Sequence, residues 1–249
     1  MTALVRSELL KVRTTRGWYG YLAVLVLLVG LGVAGDVGSA SKRRRDELDF
    51  QLGLVDTAGV GALLVLILGI TIITTEFRHG TITSTFLATP RRERVVAAKA
   101  FAGLLVSLLF AALALAVIAA VGLPWLSAVG ADIHLADGDV GIRAAQMLLF
   151  ATLWALLGVA IGTLVQSQVA ALVGTLIWIF LGEALLVVVF DLLDVDGVGP
   201  YLPFQALDAV DGTGGEDLLS YWGGVAVALA WSAVLGAAGI ERTRRRDIT

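Results

Sequence analysis

The chain of 249 residues is 58% hydrophobic and 16% charged, against roughly 25% charge in soluble domains, and its mean hydropathy is +0.89: it is an integral membrane protein. It has no cysteine, which excludes disulfides, thiolate metal sites and a cysteine nucleophile, and two histidines, His79 and His134, on separate predicted loops leave almost no material for a metal cluster. The net charge of −3 says little, because the charges are segregated by segment.

Residues 1–17 interleave Leu4, Val5, Leu9 and Val12 with Arg6, Lys11, Arg13 and Arg16, the pattern of an amphipathic helix lying on an anionic membrane face; a plain basic tail is the alternative. The first apolar run, 18–34, just suffices to cross a core of about 30 Å at about 1.5 Å per residue. Glu8 in the basic region, and the strongly apolar chain that follows, argue for an uncleaved span rather than a signal peptide. Polar residues 36–56, with the basic block Lys42-Arg43-Arg44-Arg45, lead to a second span at 56–75.

The stretch from Thr75 to Lys99, TEFRHGTITSTFLATPRRERVVAAK, is the long polar interruption that combines strong charge with strong local pattern. Glu76, Phe77, Arg78, His79 and Gly80 form a charged, helix-ending cluster. From Thr81 to Ala88, the residues Ile82, Phe86 and Leu87 fall on one side with Thr83, Ser84 and Thr85 largely opposite, which predicts a short amphipathic helix. Thr89 and Pro90 then offer an N-cap hydroxyl and a proline at the first helical position. A new helix is therefore expected from Pro90 through Arg91, Arg92, Glu93 and Arg94. Such a loop presents a compact handle to a soluble partner; the alternative is a basic loop that only sets topology.

Four more apolar runs, 100–123, 144–165, 169–190 and 221–240, complete six predicted spans in one transmembrane domain covering 1–249. Gln166-Ser167-Gln168 alone separates the fourth from the fifth. Placing the N-terminus inside puts most lysines and arginines in the cytoplasm and leaves the acidic loops 132–141 and 191–220 outside. Both termini are then cytoplasmic. The block 42–45 is the misfit, partly neutralised by Asp46, Glu47 and Asp49.

Within the bilayer, Glu183 costs about 2.5–3.5 kcal/mol on insertion scales and is expected to face protein or water. It is either a substrate-path or gating group, or a hydrogen-bonded lock between helices. Gly158 and Gly162 form a GxxxG pair, for a subunit interface or for packing inside one bundle. Around Pro200 and Pro203, the residues Tyr201, Leu202, Phe204, Leu207 and Val210 suit a segment that re-enters the membrane surface where protein covers its backbone. Asp191, Asp194 and Asp196 lack calcium-loop spacing, because Leu202 stands where such a loop needs glutamate.

Lys11, Lys42 and Lys99 are the only lysines, and none follows glycine, so the chain has no phosphate loop. HExxH and GxSxG are also absent. The expectation is a non-enzyme that binds no cofactor and no nucleic acid.

Thr75 to Thr81, followed by Thr89-Pro90-Arg91-Arg92 and Lys99, resembles the cytoplasmic loop of membrane subunits of type-2 class ABC exporters, particularly actinobacterial ones. SELLKVRTTR near the start, Ile177-Trp178 through Glu183-Ala184-Leu185-Leu186, and Leu202-Pro203-Phe204 are similar too. The resemblance implies an all-α, six-helix plasma-membrane permease with an amphipathic N-terminal elbow. It implies pairing with a second permease, as homo- or heterodimer, and docking on two ATPase subunits, which use the ATP. Phe77 to Leu87 would be the coupling helix region, anchored by the charges of Glu76 and Arg78, with Gly80, Thr81, Ile82, Phe86, Pro90 and Arg91 in the same loop. Closure of the ATPases would shift the permeases between inward- and outward-facing packing to export a drug, lipid or peptide-like substrate. Two features depart from the family: Ala184 stands where many relatives have proline, and the block 42–45 is not expected. The alternatives are a secondary transporter or channel that works without an ATPase, which would show paired broken helices or several intramembrane charges, and a non-transporting scaffold or sensor.

Overall fold

The computed structural model describes residues 2–14, 17–82, 85, 92–134, 138–195, 197–212 and 218–245. It is 89% helical, with no strand among the described residues. Thr2–Thr14 is a helix, and six helices are long and apolar enough to cross a membrane: Gly17–Ser39, Leu48–Arg78, Glu93–Ala128, Gly138–Val165, Gln168–Leu192 and Tyr221–Arg245. Their number and order match the sequence reading, and they are called the first to sixth spans below.

The first and second are longer than their apolar runs because residues 36–56 fold instead of looping. The first span continues to Ser39, and the Ser41 hydroxyl accepts from the Arg44 amide to cap one turn, Lys42–Arg45. The helix Leu48–Asp56 then passes through a 3-10 turn, Thr57–Gly61, into Ala62–Arg78. Asp49 and Asp56 make this stretch read as polar, yet Leu48, Leu52 and Val55 pack against Val140 and Met147 of the fourth span. The basic block is held locally: Arg45 Nε donates to Val37 O at 2.9 Å, and the Arg44 guanidinium lies 5.9 Å from the centre of the Phe50 ring.

In their most apolar stretches, 61% of the residues of the second and fourth spans are buried, against 22% in the first and 11% in the fifth. The second and fourth spans therefore form the core of the bundle. Apolar lipid offers no hydrophobic drive between helices, so close backbone approach decides such packing. A Cβ on Gly158 would lie 2.3 Å from Leu66 O, and one on Gly69 would lie 2.6 Å from Ala155 O. The GxxxG pair thus packs inside one bundle, with Gly162 against Ile70 O. The sixth span seats on the fourth by the same means at Gly239.

The fifth span is built in three pieces: Gln168–Ile177, a π-helical turn Trp178–Gly182, and Glu183–Leu192. Beyond it, Pro203–Asp211 forms a short helix with proline in its first turn, ended by Gly212 at φ +76°. Ala206, Leu207 and Val210 are fully buried, beside Leu66, Leu153, Leu157 and Val225. Of the segment expected to re-enter the membrane surface, Phe204, Leu207 and Val210 lie on this helix, while Tyr201 and Leu202 precede it.

Polar contacts staple the bundle end that holds 39–48 and 128–134. Gln51 donates to Asp132 O at 2.6 Å and accepts from the His134 amide at 2.9 Å. Arg143 pairs with the Asp56 carboxylate and donates to Asp211 O at 2.5 Å.

Candidate functional site

The opposite end gathers the N-terminal helix, the starts of the first, third and fifth spans, and the ends of the second, fourth and sixth. At its centre lie two glutamates and two lysines from three separate elements. Lys99 Nζ lies 2.7 Å from Glu8 Oε2 and 3.2 Å from Glu76 Oε1. Lys11 Nζ lies 2.6 Å from Glu8 Oε1 and 2.5 Å from Glu76 Oε1. Glu8, Glu76 and Lys99 are 6%, 7% and 2% exposed, so the ions have left water and must neutralise one another.

Local sequence places each member. Glu8 and Lys11 are three residues apart, hence on one helix face, and their neighbours Leu9 and Val12 pack onto the apolar cluster of the first three spans. Lys99 shares the buried face of the third span with Val95, Ala98 and Ala102, a helical spacing. Glu76 lies in the last turn of the second span. Burial pulls the Lys11 ammonium toward lower pKa, but hydrogen bonds and charge from Glu76 and Glu8 outweigh it and hold the group above 10.5.

The residues predicted for the coupling loop divide in two. Glu76 turns inward to the cluster, while Phe77 and Ile82 are half-buried and Arg78, Gly80 and Thr81 are exposed. Arg78 donates to Gln168 Oε1 at 3.2 Å, tying the loop to the fourth–fifth hairpin. The helix ends because Gly80 adopts φ +69°, a conformation that suits glycine. Thr85 donates through its amide to Thr81 O at 3.3 Å, one turn beyond. Phe86, Leu87, Pro90 and Arg91 lie outside the described residues, as does most of the predicted amphipathic helix; the third-span helix is described from Arg92.

Other contacts tie the sixth span to the fourth–fifth hairpin and to the third span. Arg242 donates to Leu164 O and Gln166 to the Thr243 hydroxyl, each at 2.8 Å, and Arg244 pairs with Glu93. Gln166 itself takes φ +58° in the tight hairpin.

Sequence reading missed the four-residue cluster. Lys99 carried a signal, being a lone charge among alanines on an otherwise apolar face, and Glu8 with Lys11 was a helical pair. Their partnership across the chain had no sequence signature.

Glu183, 2% exposed, accepts from the amides of Phe204 at 2.9 Å and Gln205 at 3.0 Å, and from Trp178 Nε1 at 3.2 Å. It therefore caps the short helix, whose first residue, Pro203, has no N–H to satisfy. The π-helical turn sets Trp178 and Glu183 five residues apart on one side, with the Glu183 amide donating to Trp178 O. Beside this clamp an apolar cleft of about 390 Å³ opens between the fourth, fifth and sixth spans, lined by Leu157, Ile161, Trp178, Phe204 and Trp231. No group of three or more metal-ligating side chains occurs among the described residues.

No curated protein matches the chain. The family model for ABC-2 family transporter proteins matches residues 4–182, from the N-terminal helix to the π-helical turn of the fifth span. Six spans of this order, with a match over well more than half the length, show that the chain belongs to the ABC-2 family of transporter proteins.

Proposed function

We propose that this multi-pass ABC-2 transport subunit is the permease of an ATP-driven exporter, energised by a separate ATPase that docks on the loop after the second span. The observation that carries the reading is the buried cluster beneath that loop. Arg78, Gly80 and Thr81 are exposed within five residues of the buried Glu76, and Glu76 is bonded to both lysines. A displacement of the tip is thereby transmitted to the N-terminal helix and the second and third spans together, as a switch between discrete packings requires. In this reading the N-terminal helix is an interfacial elbow, and Glu76 is an internal anchor rather than a contact for the ATPase.

The basic residues of that end support an orientation with both termini cytoplasmic, and the family supports the plasma membrane as the location. A second permease, identical or related, completes the pathway. The apolar cleft suits a drug, lipid or peptide-like substrate. The alternatives, an ATPase-independent transporter or channel and a membrane scaffold, gain nothing from Glu183, whose oxygens are engaged in capping a helix.

Co-purification with the candidate ATPase in detergent, followed by ATP hydrolysis in reconstituted membranes, tests the assignment. The wild type should retain the ATPase and alter its rate, and the Phe77→Ala, Phe86→Ala double variant should not. Failure of the wild type to bind any such ATPase would remove the exporter reading.

A further inference from the structure

Against the ion cluster lies a cavity of about 240 Å³, lined by Trp18, Tyr21, Leu68, Ile72, Glu76 and Lys99 among others. Two buried polar atoms on residues of this lining, Glu76 Oε2 and Trp18 Nε1, have no hydrogen-bond partner. Native interiors rarely leave such groups unanswered, and the volume exceeds the roughly 30 Å³ of a single water several-fold.

We propose that this cavity holds the headgroup of an aminophospholipid, a primary ammonium beside a phosphate diester, drawn from the adjoining membrane leaflet. The chemistry follows from the two atoms. A carboxylate oxygen calls for a cationic N–H donor, and an indole N–H calls for an acceptor such as a phosphate oxygen. The charge balance selects a zwitterion: Glu8, Lys11, Glu76 and Lys99 already sum to zero, so a ligand with net charge would be buried without compensation.

Location selects the membrane as the source. The cavity borders Gly17 and Gln168, the first residues of the first and fifth spans, and Glu76 stands two residues before the end of the second. It therefore opens where the spans emerge from the bilayer. Its other wall, Leu68, Ile72 and Tyr21, is apolar enough to receive the start of the acyl chains. A choline headgroup has the same charges but no ammonium N–H to offer Glu76. The site is independent of the export reading and would exist in a scaffold protein equally.

The test uses the full chain, delipidated in detergent, with phosphatidylethanolamine, phosphatidylcholine, phosphatidylglycerol and soluble phosphoethanolamine added separately. Native mass spectrometry and thermal unfolding are the readouts. Phosphatidylethanolamine should give a retained one-to-one adduct and raise Tm by several degrees, and the other three should not. Trp18→Phe removes the indole N–H and leaves the ion cluster intact, so retention should fall about fivefold, the factor for one hydrogen bond of about 1 kcal/mol. Equal retention of the choline lipid, or an adduct unaffected by Trp18→Phe, would overturn the proposal. A response to soluble phosphoethanolamine matching that to the lipid would overturn the membrane source.

Discussion

Lys99 and Glu8, 91 residues apart in the chain, meet at 2.7 Å as a fully buried ion pair. The contact fastens the N-terminal helix to the third span, and Glu76 extends it to the second.

Breaking such a pair from one side leaves an uncompensated buried charge, which costs about 3–5 kcal/mol. Lys99→Met should lower stability by that order, while Glu8→Gln combined with Lys99→Met should recover a large part of the loss. Thermal unfolding in detergent measures both. A double variant no more stable than Lys99→Met alone would show that the two side chains are not coupled.

Lys11 makes the docking of the N-terminal helix sensitive to alkali. Its ammonium is held above 10.5, so its contribution is complete below the unfolded value and disappears as pH rises through the higher folded one. Because its side chain is 47% exposed, solvent screens much of the effect, which stays modest. The chain has no cysteine, so a spin label at Ser7→Cys reports on this helix alone. Label mobility should stay constant through neutral pH and rise in alkali above the usual lysine range. Adding Lys11→Met should remove that alkaline component; an identical profile would reject the assignment.

The number and order of the spans were legible because long uncharged apolar runs have one stable disposition in lipid. Their ends were not: Leu48–Asp56 carries two aspartates and reads as a loop, though one face is buried through Gln51, Leu54 and Val55. The need of Glu183 for a partner was legible from its depth, but the partners are the amides of Phe204 and Gln205, and backbone groups leave no mark in a sequence. Glu76 and Lys99 stood at the two ends of the loop singled out from sequence. The missing members, Glu8 and Lys11, lay in a segment whose charges read as membrane-surface contacts.

Close approach at Gly158 predicts a contrast between two glycines. Gly158→Ala would place its Cβ 2.3 Å from Leu66 O, whereas a Cβ on Gly174 meets nothing within 4 Å. The backbone of the second span cannot yield as a flexible side chain would, so Gly158→Ala should cost about 1–3 kcal/mol. Gly174→Ala should be neutral or slightly stabilising, since alanine is the better helix former. Unfolding midpoints of the two variants, compared in the same detergent, decide it; equal midpoints would mean that the second and fourth spans separate freely at this crossing.

Glu183 distinguishes a structural clamp from a transport group most sharply. Its carboxylate satisfies two backbone amides and an indole at once, and glutamine retains one acceptor oxygen while presenting an amide nitrogen where the other stood. Glu183→Gln should therefore lose part of the cap and lower stability by about 1–2 kcal/mol, with transport per folded molecule unchanged. Glu183→Ala leaves both amides and the indole unsatisfied and should cost more, loosening the short helix Pro203–Asp211. Hydrogen exchange at the amides of Phe204 and Gln205, followed beside transport in reconstituted vesicles, separates the two roles. Faster exchange with transport retained in Glu183→Gln supports the clamp. Abolished transport with exchange unchanged would place Glu183 on the substrate path instead.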